Sequence, residues 1–213
     1  MCGRFVLAAD NDALDAEFGL RRWPARTPRY NIAPTQQVLI IKMGSDNPEW
    51  VRWGLVPRWA QDPSGAARMI NARSETVTEK PSFRNLVGTH RAMIPMSGFY
   101  EWDRSDPKVK RPFFVPRADG RVMWAAGLWT VSPLLDGATT FTMITRESLD
   151  DLSMIHDRSP VQLQVEDCVE WVMSDEAPLE LLRLPQQPRL APYEVDRRVN
   201  SVRNNGPDLL API

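Results

Sequence analysis

Two cysteines, two histidines and four lysines are all that a chain of 213 residues holds of these types. With only Cys2 and Cys168 there is no disulfide framework, and no paired-cysteine spacing suggests a metal site. The shortage of histidine leaves His90 and His156 as the side chains whose charge changes most readily near neutral pH. No run of apolar residues is long enough to cross a bilayer, so no membrane partner is expected. The start also lacks the basic-then-apolar pattern of a secretory leader, because Asp10, Asp12, Asp15 and Glu17 follow almost at once. A cytoplasmic, nucleoid-associated setting with reduced thiols is therefore the expectation. A net charge of −1 excludes a chain that coats nucleic acid through a global positive field, so any polyanion site must be local. Lysine scarcity means that arginine supplies 22 of the 26 basic residues. Planar guanidinium forks suit phosphate, although a GC-rich genome gives the same skew.

A hydrophobic content of 43% over this length supports one well-buried core and one domain spanning residues 1–213. Asn11 to Phe18 reads as a short amphipathic helix with Ala13, Leu14 and Phe18 on a shared face. The proline-rich stretch from Trp23-Pro24 through Arg29-Tyr30-Asn31-Ile32-Ala33-Pro34 reads as a stiff loop without regular structure. Strands are predicted at Val38 to Ile41, Glu49 to Trp53, Ala92 to Ile94, Phe99 to Trp102, Phe113 to Val115, Val122 to Leu128 and Thr140 to Ile144, with a hairpin turn at Ala118-Asp119-Gly120. Further helices are predicted near Glu75 to Leu86, from Val165 to Met173, and as a short piece from Pro178 to Leu184. No linker separates two hydrophobic patterns. The fold class that follows is α+β, a single domain built on a mostly antiparallel, barrel-like sheet flanked by short helices.

Cys2 is the most informative residue. It follows the initiator methionine directly, so loss of Met1 exposes an α-amine and a thiol on one residue. A free α-amine has a reference pKa near 8 and a thiol near 8.5, so both are partly in their nucleophilic forms at neutral pH. Together they can attack one electrophilic carbon twice, the amine forming a Schiff base with an aldehyde and the sulfur closing a five-membered thiazolidine. No internal cysteine can do this. Cys168, in a predicted helix, reads as packing.

Three other segments carry chemistry. His156 lies in Ile155-His156-Asp157-Arg158, a loop suited to proton transfer, whereas His90 reads as structural. Glu101, in Gly98-Phe99-Tyr100-Glu101-Trp102, is a carboxylate in an aromatic strand, either paired with an arginine or poised as an acid or base. Asn71, in Ile70-Asn71-Ala72-Arg73, reads as a cap, a turn former or a group that holds a substrate. Eight tryptophans are many for this length, and those beside arginines offer faces for unpaired bases.

Taken in order, these segments resemble the SOS response associated peptidase (SRAP) family. The resemblance runs over essentially the whole chain, through Met1-Cys2-Gly3-Arg4-Phe5, Arg29-Tyr30-Asn31-Ile32-Ala33-Pro34, Trp53-Gly54-Leu55, Ile70-Asn71-Ala72-Arg73, Gly98-Phe99-Tyr100-Glu101-Trp102, Ile155-His156-Asp157-Arg158, and Val199-Asn200 with Asn204-Asn205-Gly206. It implies a protein that senses an abasic site in single-stranded DNA and crosslinks to it covalently through Cys2 after Met1 removal. It places Asn71, Glu101 and His156 with Cys2 in the catalytic set. The peptidase in the family name is most simply self-removal of Met1. Arg4, Arg73 and Arg158 adjoin three of these motifs and are assigned to backbone phosphates, the alternative for each being an internal pair with Glu101, Asp157 or another carboxylate. Trp59 and Trp102 are assigned to exposed bases, and Pro34 to a wedge at single-strand/double-strand junctions. A monomer is expected, with no metal and no organic cofactor.

The chain departs from the family pattern at two points. Ser159 stands where a methionine commonly follows His-Asp-Arg, and Pro95-Met96-Ser97 stands where proline-alanine-aspartate is frequent. Two rival readings remain. One is an N-terminal nucleophile amidohydrolase of the glutaminase type, which also begins Met-Cys-Gly. The other is a noncovalent single-stranded DNA binding module in which Cys2 is packing.

Overall fold

The computed structural model describes residues 2–19, 23–103, 105, 109–184 and 187–213. The strands, in chain order, are β1 (Phe5–Leu7), β2 (Arg29–Ile32), β3 (Gln37–Lys42), β4 (Glu49–Trp53), β5 (Asn71–Arg73), β6 (Arg91–Met96), β7 (Gly98–Asp103), β8 (Arg111–Val115), β9 (Met123–Ser132), β10 (Ala138–Glu147), β11 (Arg158–Pro160), β12 (Gln162–Leu163) and β13 (Tyr193–Glu194). Helices α1 (Asn11–Phe18) and α2 (Val165–Met173) flank them, with short 3-10 segments such as Leu179–Arg183 and Arg197–Asn200.

One sheet closes on itself. β4, β3, β6 and β9 pair antiparallel in that order, and β10 joins β9 antiparallel and β4 parallel. Closure removes free edges and encloses a core in which Val38, Leu39, Ile40, Met93, Ile94, Phe141 and Met143 are fully buried. The turn from β9 to β10 needs two left-handed residues, and Asp136 (φ 52°) with Gly137 (φ 78°) supplies them. Trp53 fills the space between this barrel and β1. Its ring lies edge-on to Phe5 at 5.1 Å and parallel to Phe141 at 6.3 Å, and its indole N–H donates to Ile70 O at 3.0 Å.

The second sheet, in the order β13-β8-β7-β1-β2, is antiparallel throughout. It is covered on both faces. Phe5, Leu7 and Phe99 join the main core, whereas Val6, Tyr100 and Phe114 join a smaller cluster with Val195, Val199 and Leu209 from the C-terminal segment. Helix α2 is fixed to the barrel by Arg91, whose fully buried guanidinium donates to Trp171 O, Val87 O, Gly88 O and Ser174 O. A buried charge of this kind is tolerable because its donors are satisfied by carbonyls.

The α+β class and the mostly antiparallel barrel agree with the sequence reading, and β4, α1 and α2 have the predicted bounds. Five local expectations are corrected. Arg29–Ile32 is a strand, because Pro28 and Pro34 flank the segment and leave its backbone free to pair with β1. Residues 75–86 form successive turns rather than a helix; Pro81 lacks an N–H in the middle of the run, and bonds such as Lys80 N to Thr76 O close single turns. The Ala118-Asp119 turn exists but joins β8 to β9 in the other sheet, so it is no hairpin. On α1, Leu14 is buried but Ala13 is exposed, and the Phe18 side chain lies outside the described residues. The predicted Pro178 to Leu184 helix is a 3-10 segment.

Gly98 opens β7 at φ +155°, and a Cβ there would lie 2.5 Å from the Phe114 ring and 2.9 Å from Val115 O. Gly98→Ala is expected to lower the unfolding free energy by about 3 kcal/mol, through backbone strain and overpacking, read as a reduced urea midpoint with an unchanged slope.

Candidate active site

Strand pairing decides where the amino terminus goes. Phe5 is opposite Phe99 and Val6 opposite Gly98, and the bond from Tyr100 N to Arg4 O at 2.8 Å carries this pairing one residue further. The chain ahead of Phe5 is thereby aimed along β7 toward Glu101. Side chains alternate on β7, so Glu101 shares the inward face of Phe99 while Trp102 shares the outer face of Tyr100. Cys2 ends fully buried, and Glu101 retains only 2% exposure.

Asn71 and His156 come from the other sheet. β5 runs parallel to β10, with Asn71 opposite Met143 and Arg73 opposite Thr145. Asn71 Nδ2 donates to Cys2 O at 2.7 Å, and its Oδ1 is buried with no hydrogen-bond partner among the described residues. β11 pairs with the same part of β10 on the other edge, Glu147 opposite Arg158 and Thr145 opposite Pro160. His156, two residues before Arg158, is 5% exposed and closes a loop in which His156 N bonds to Leu152 O and Ser148 N to Asp157 O. Its Nε2 lies 3.8 Å from Glu101 Oε2. Its Nδ1 accepts the Arg158 N–H at 2.9 Å, which places the proton of the neutral ring on Nε2, facing Glu101. The Asp157 carboxylate reaches the same Nδ1 at 3.0 Å from a largely exposed position.

Burial, followed by the negative charge of Glu101, pushes the Cys2 thiol well above its ordinary pKa. The resting sulfur is therefore a thiol. Such a group reacts only when a neighbouring base takes its proton as the new bond forms, and Glu101 is the carboxylate close enough to influence it electrostatically. Cys168 is also fully buried, in α2. Among the described residues no cluster of three or more His, Cys, Asp or Glu side chains could hold a metal ion.

The profile of the SOS response associated peptidase (SRAP) family matches residues 1–202. The chain belongs to the SRAP family. It is 38% identical to the abasic site processing protein YoqW of Bacillus subtilis (strain 168) over 99% of both chains. It is 30% identical to the abasic site processing protein YedK of Escherichia coli (strain K12) over 100% of both. Among solved structures, a phage-related protein of Bordetella bronchiseptica superposes with a TM-score of 0.72 at 28% identity, covering 92% of this chain and 95% of that one. A protein of Bacteroides thetaiotaomicron shares the fold, with a TM-score of 0.84 at 21% identity and complete coverage of both chains.

Within this SRAP chain the residues assigned to DNA differ in what they are free to do. Arg73 is exposed and has no side-chain hydrogen bond or ion pair among the described residues. Trp59 is 62% exposed at the rim of a concavity of about 450 Å³ formed by the segment from Leu55 to Met69. Pro34 begins the turn between β2 and β3, beside Thr35 at φ 72°. Arg4, by contrast, donates to Asn31 Oδ1 at 2.7 Å and Val199 O at 2.8 Å, with its guanidinium 5.8 Å from the Trp102 ring. Trp102 is half-buried, and its Nε1 donates to Asn200 Oδ1 at 2.7 Å. Arg158 is turned inward and held in a two-point pair by Glu75, at 2.8 and 2.9 Å. Arg158 thus makes the internal carboxylate pair that was the alternative to a phosphate contact, with Glu75 as the carboxylate.

Two residues in or just beyond the quoted motifs were missed. Asn31 donates to Val199 O, Ser201 O and Asn204 O, and so fastens the C-terminal segment over β1 and β2. Glu75 follows Asn71 by four positions, and only the pairing of β5 and β11 with β10 brings it to Arg158. The departures from the family pattern are absorbed locally: Ser97 Oγ accepts the N–H groups of Ala8 and Ala9, each at 3.0 Å, and Ser159 is buried in β11.

Because both cysteines are covered, native protein at pH 8 is expected to resist iodoacetamide, whereas denatured protein takes two adducts by intact mass. The unfolded chain releases a thiol proton near its ordinary pKa of about 8.5 and the native chain only at higher pH. The native state then binds more protons above that value, so stability is expected to fall as pH rises past it, seen as a declining urea midpoint.

Proposed function

We propose that the chain senses abasic sites in single-stranded DNA and crosslinks to them through Cys2 once Met1 has been removed. The observation that supports this reading is the convergence of Cys2, Asn71, Glu101 and His156, from four separate segments, in one covered cluster. The names of the relatives point the same way, since YoqW and YedK are both abasic site processing proteins.

The chemistry uses each residue for what its position allows. Abasic deoxyribose is mostly a closed hemiacetal, and His156, with Nε2–H toward Glu101, is placed to help move the proton that opens it to the aldehyde. The Cys2 α-amine then attacks the aldehyde carbon, a C–N bond forms, and the carbonyl oxygen leaves as water. Asn71 already holds the Cys2 carbonyl, so it fixes the residue in an attacking geometry, and its free Oδ1 can accept from the amine or a sugar hydroxyl. The sulfur adds to the same carbon last. Its proton passes by way of Glu101 to the imine nitrogen, and a five-membered thiazolidine remains. This order suits a thiol held protonated by burial, because the iminium is a strong electrophile. It also removes the iminium that would otherwise favour β-elimination, which shields the strand from cleavage. Arg73 supplies a phosphate contact, and the Pro34 turn a wedge at single-strand/double-strand junctions. Self-removal of Met1 is the simplest peptidase activity consistent with the family name.

Protein with a verified free Cys2 is expected to give a boiling-resistant band on a denaturing gel with single-stranded DNA carrying one abasic site. The same strand with a reduced, aldehyde-free site should give none, and Cys2→Ala should abolish the band. A band that survives Cys2→Ala would overturn the assignment of the nucleophile. Arg73→Ala is expected to weaken binding evenly across sequences and to reduce the salt slope by about 1, while leaving the adduct intact at saturating DNA.

A further inference from the structure

The Arg158 guanidinium is almost wholly covered, and its partners lie on different segments, Thr145 on β10 and Glu75 in the turn after β5. Nη1 and Nη2 donate to the two carboxylate oxygens of Glu75 at 2.8 and 2.9 Å, and Nη2 also donates to Thr145 O at 2.8 Å. Thr145 O accepts the Ser74 N–H as well, again at 2.8 Å. One carbonyl on β10 is thus the meeting point of the segment that follows β5 and the segment that begins β11. Asn71 is four residues before Glu75, and His156 is two residues before Arg158. The backbone N–H of Arg158 is the same group that fixes the tautomer of His156.

We infer that Glu75 is a positioning residue for His156 and Asn71, acting through the two-point pair with Arg158 that clasps β5 and β11 across β10. The inference rests on the crosslinking role proposed above. A planar guanidinium bonded to both oxygens of a carboxylate has little rotational freedom, so the pair fixes direction as well as distance. With Glu75 gone, Arg158 keeps only its contacts to Thr145 and turns to find others. The backbone at residues 156–158 moves with it, and the N–H to His156 Nδ1 lengthens. Nδ1 then faces the Asp157 carboxylate without its competing donor, while Nε2 faces Glu101, and the ring no longer has one preferred tautomer. Glu75 itself is half exposed and touches none of the four reacting residues by any described contact, so its effect is transmitted entirely by the clasp.

The test is single-turnover crosslinking of the full chain, at increasing concentrations of single-stranded DNA with one abasic site, for wild type, Glu75→Ala and Glu75→Gln. Glu75→Ala is expected to lower the plateau rate about 10- to 100-fold and to leave the half-saturating DNA concentration within about twofold of wild type, as a small misplacement of catalytic groups does. Glu75→Gln keeps one acceptor for Arg158 and should lie between the two, and it serves where Glu75→Ala does not fold. An unchanged plateau rate would overturn the proposal. So would a lower half-saturating concentration at an unchanged rate, which would make Glu75 a competitor of DNA phosphate for Arg158. Nitrogen NMR of the neutral His156 ring reads the clasp without DNA. Wild type should show the Nε2-protonated tautomer, and Glu75→Ala a mixture. The same single tautomer in both would reject the positioning role even if the wild-type chain formed no adduct, a result that would by itself remove only the crosslinking reading.

Discussion

The backbone of β10 is the constraint on which the rest depends. Ten residues long and buried through its middle, it pairs with β9 and β11 along one edge and with β4 and β5 along the other. The first half of these pairings closes the barrel. The second half gathers Asn71 and the His156 loop, which are far apart in sequence, at the end of the same strand. Backbone hydrogen bonds individually contribute little net stability, but leaving them unmade in a dry interior is costly, so this arrangement has few alternatives.

Against this frame the second sheet delivers the amino terminus. β1 is covered on both faces, by the main core through Phe5 and Leu7 and by the C-terminal cluster through Val6. A three-residue strand would not hold its position alone. It is held because β2 and β7 pair with it from either side and Asn31 ties the C-terminal segment down over them. Cys2 is consequently presented to Glu101 by strand register rather than by contacts of its own, of which the described ones are weak apart from the Asn71 bond to its carbonyl.

The electrostatics follow from this burial. A carboxylate beside a covered thiol suppresses the thiolate, which keeps a reactive sulfur inert until an electrophile arrives and a base can take its proton. Arginine is distributed accordingly. Arg4, Arg91 and Arg158 are consumed in holding segments together, whereas Arg73 stays exposed two residues after Asn71, which contacts Cys2.

Much of this was readable from the residues alone. Alternating and continuous apolar runs marked β3, β4, β6, β7 and β10, and the position of Cys2 with the short motifs around Asn71, Glu101 and His156 marked the site, because local propensity and side-chain chemistry are properties of adjacent residues. The strand at Arg29–Ile32 was hidden by its prolines, and the turns of residues 75–86 by a composition that suits a helix until Pro81 is taken into account. What the sequence by itself determined was the longer strands, helices α1 and α2, and the chemical identity of the groups at the site. Which arginines face inward, that Glu75 belongs to Arg158, and that Asn71 meets the Cys2 carbonyl were decided only by the tertiary structure. The physical reason is that strand register and barrel closure are set by pairings between distant segments, and a contact between residues some seventy to eighty positions apart leaves no periodic trace in either segment.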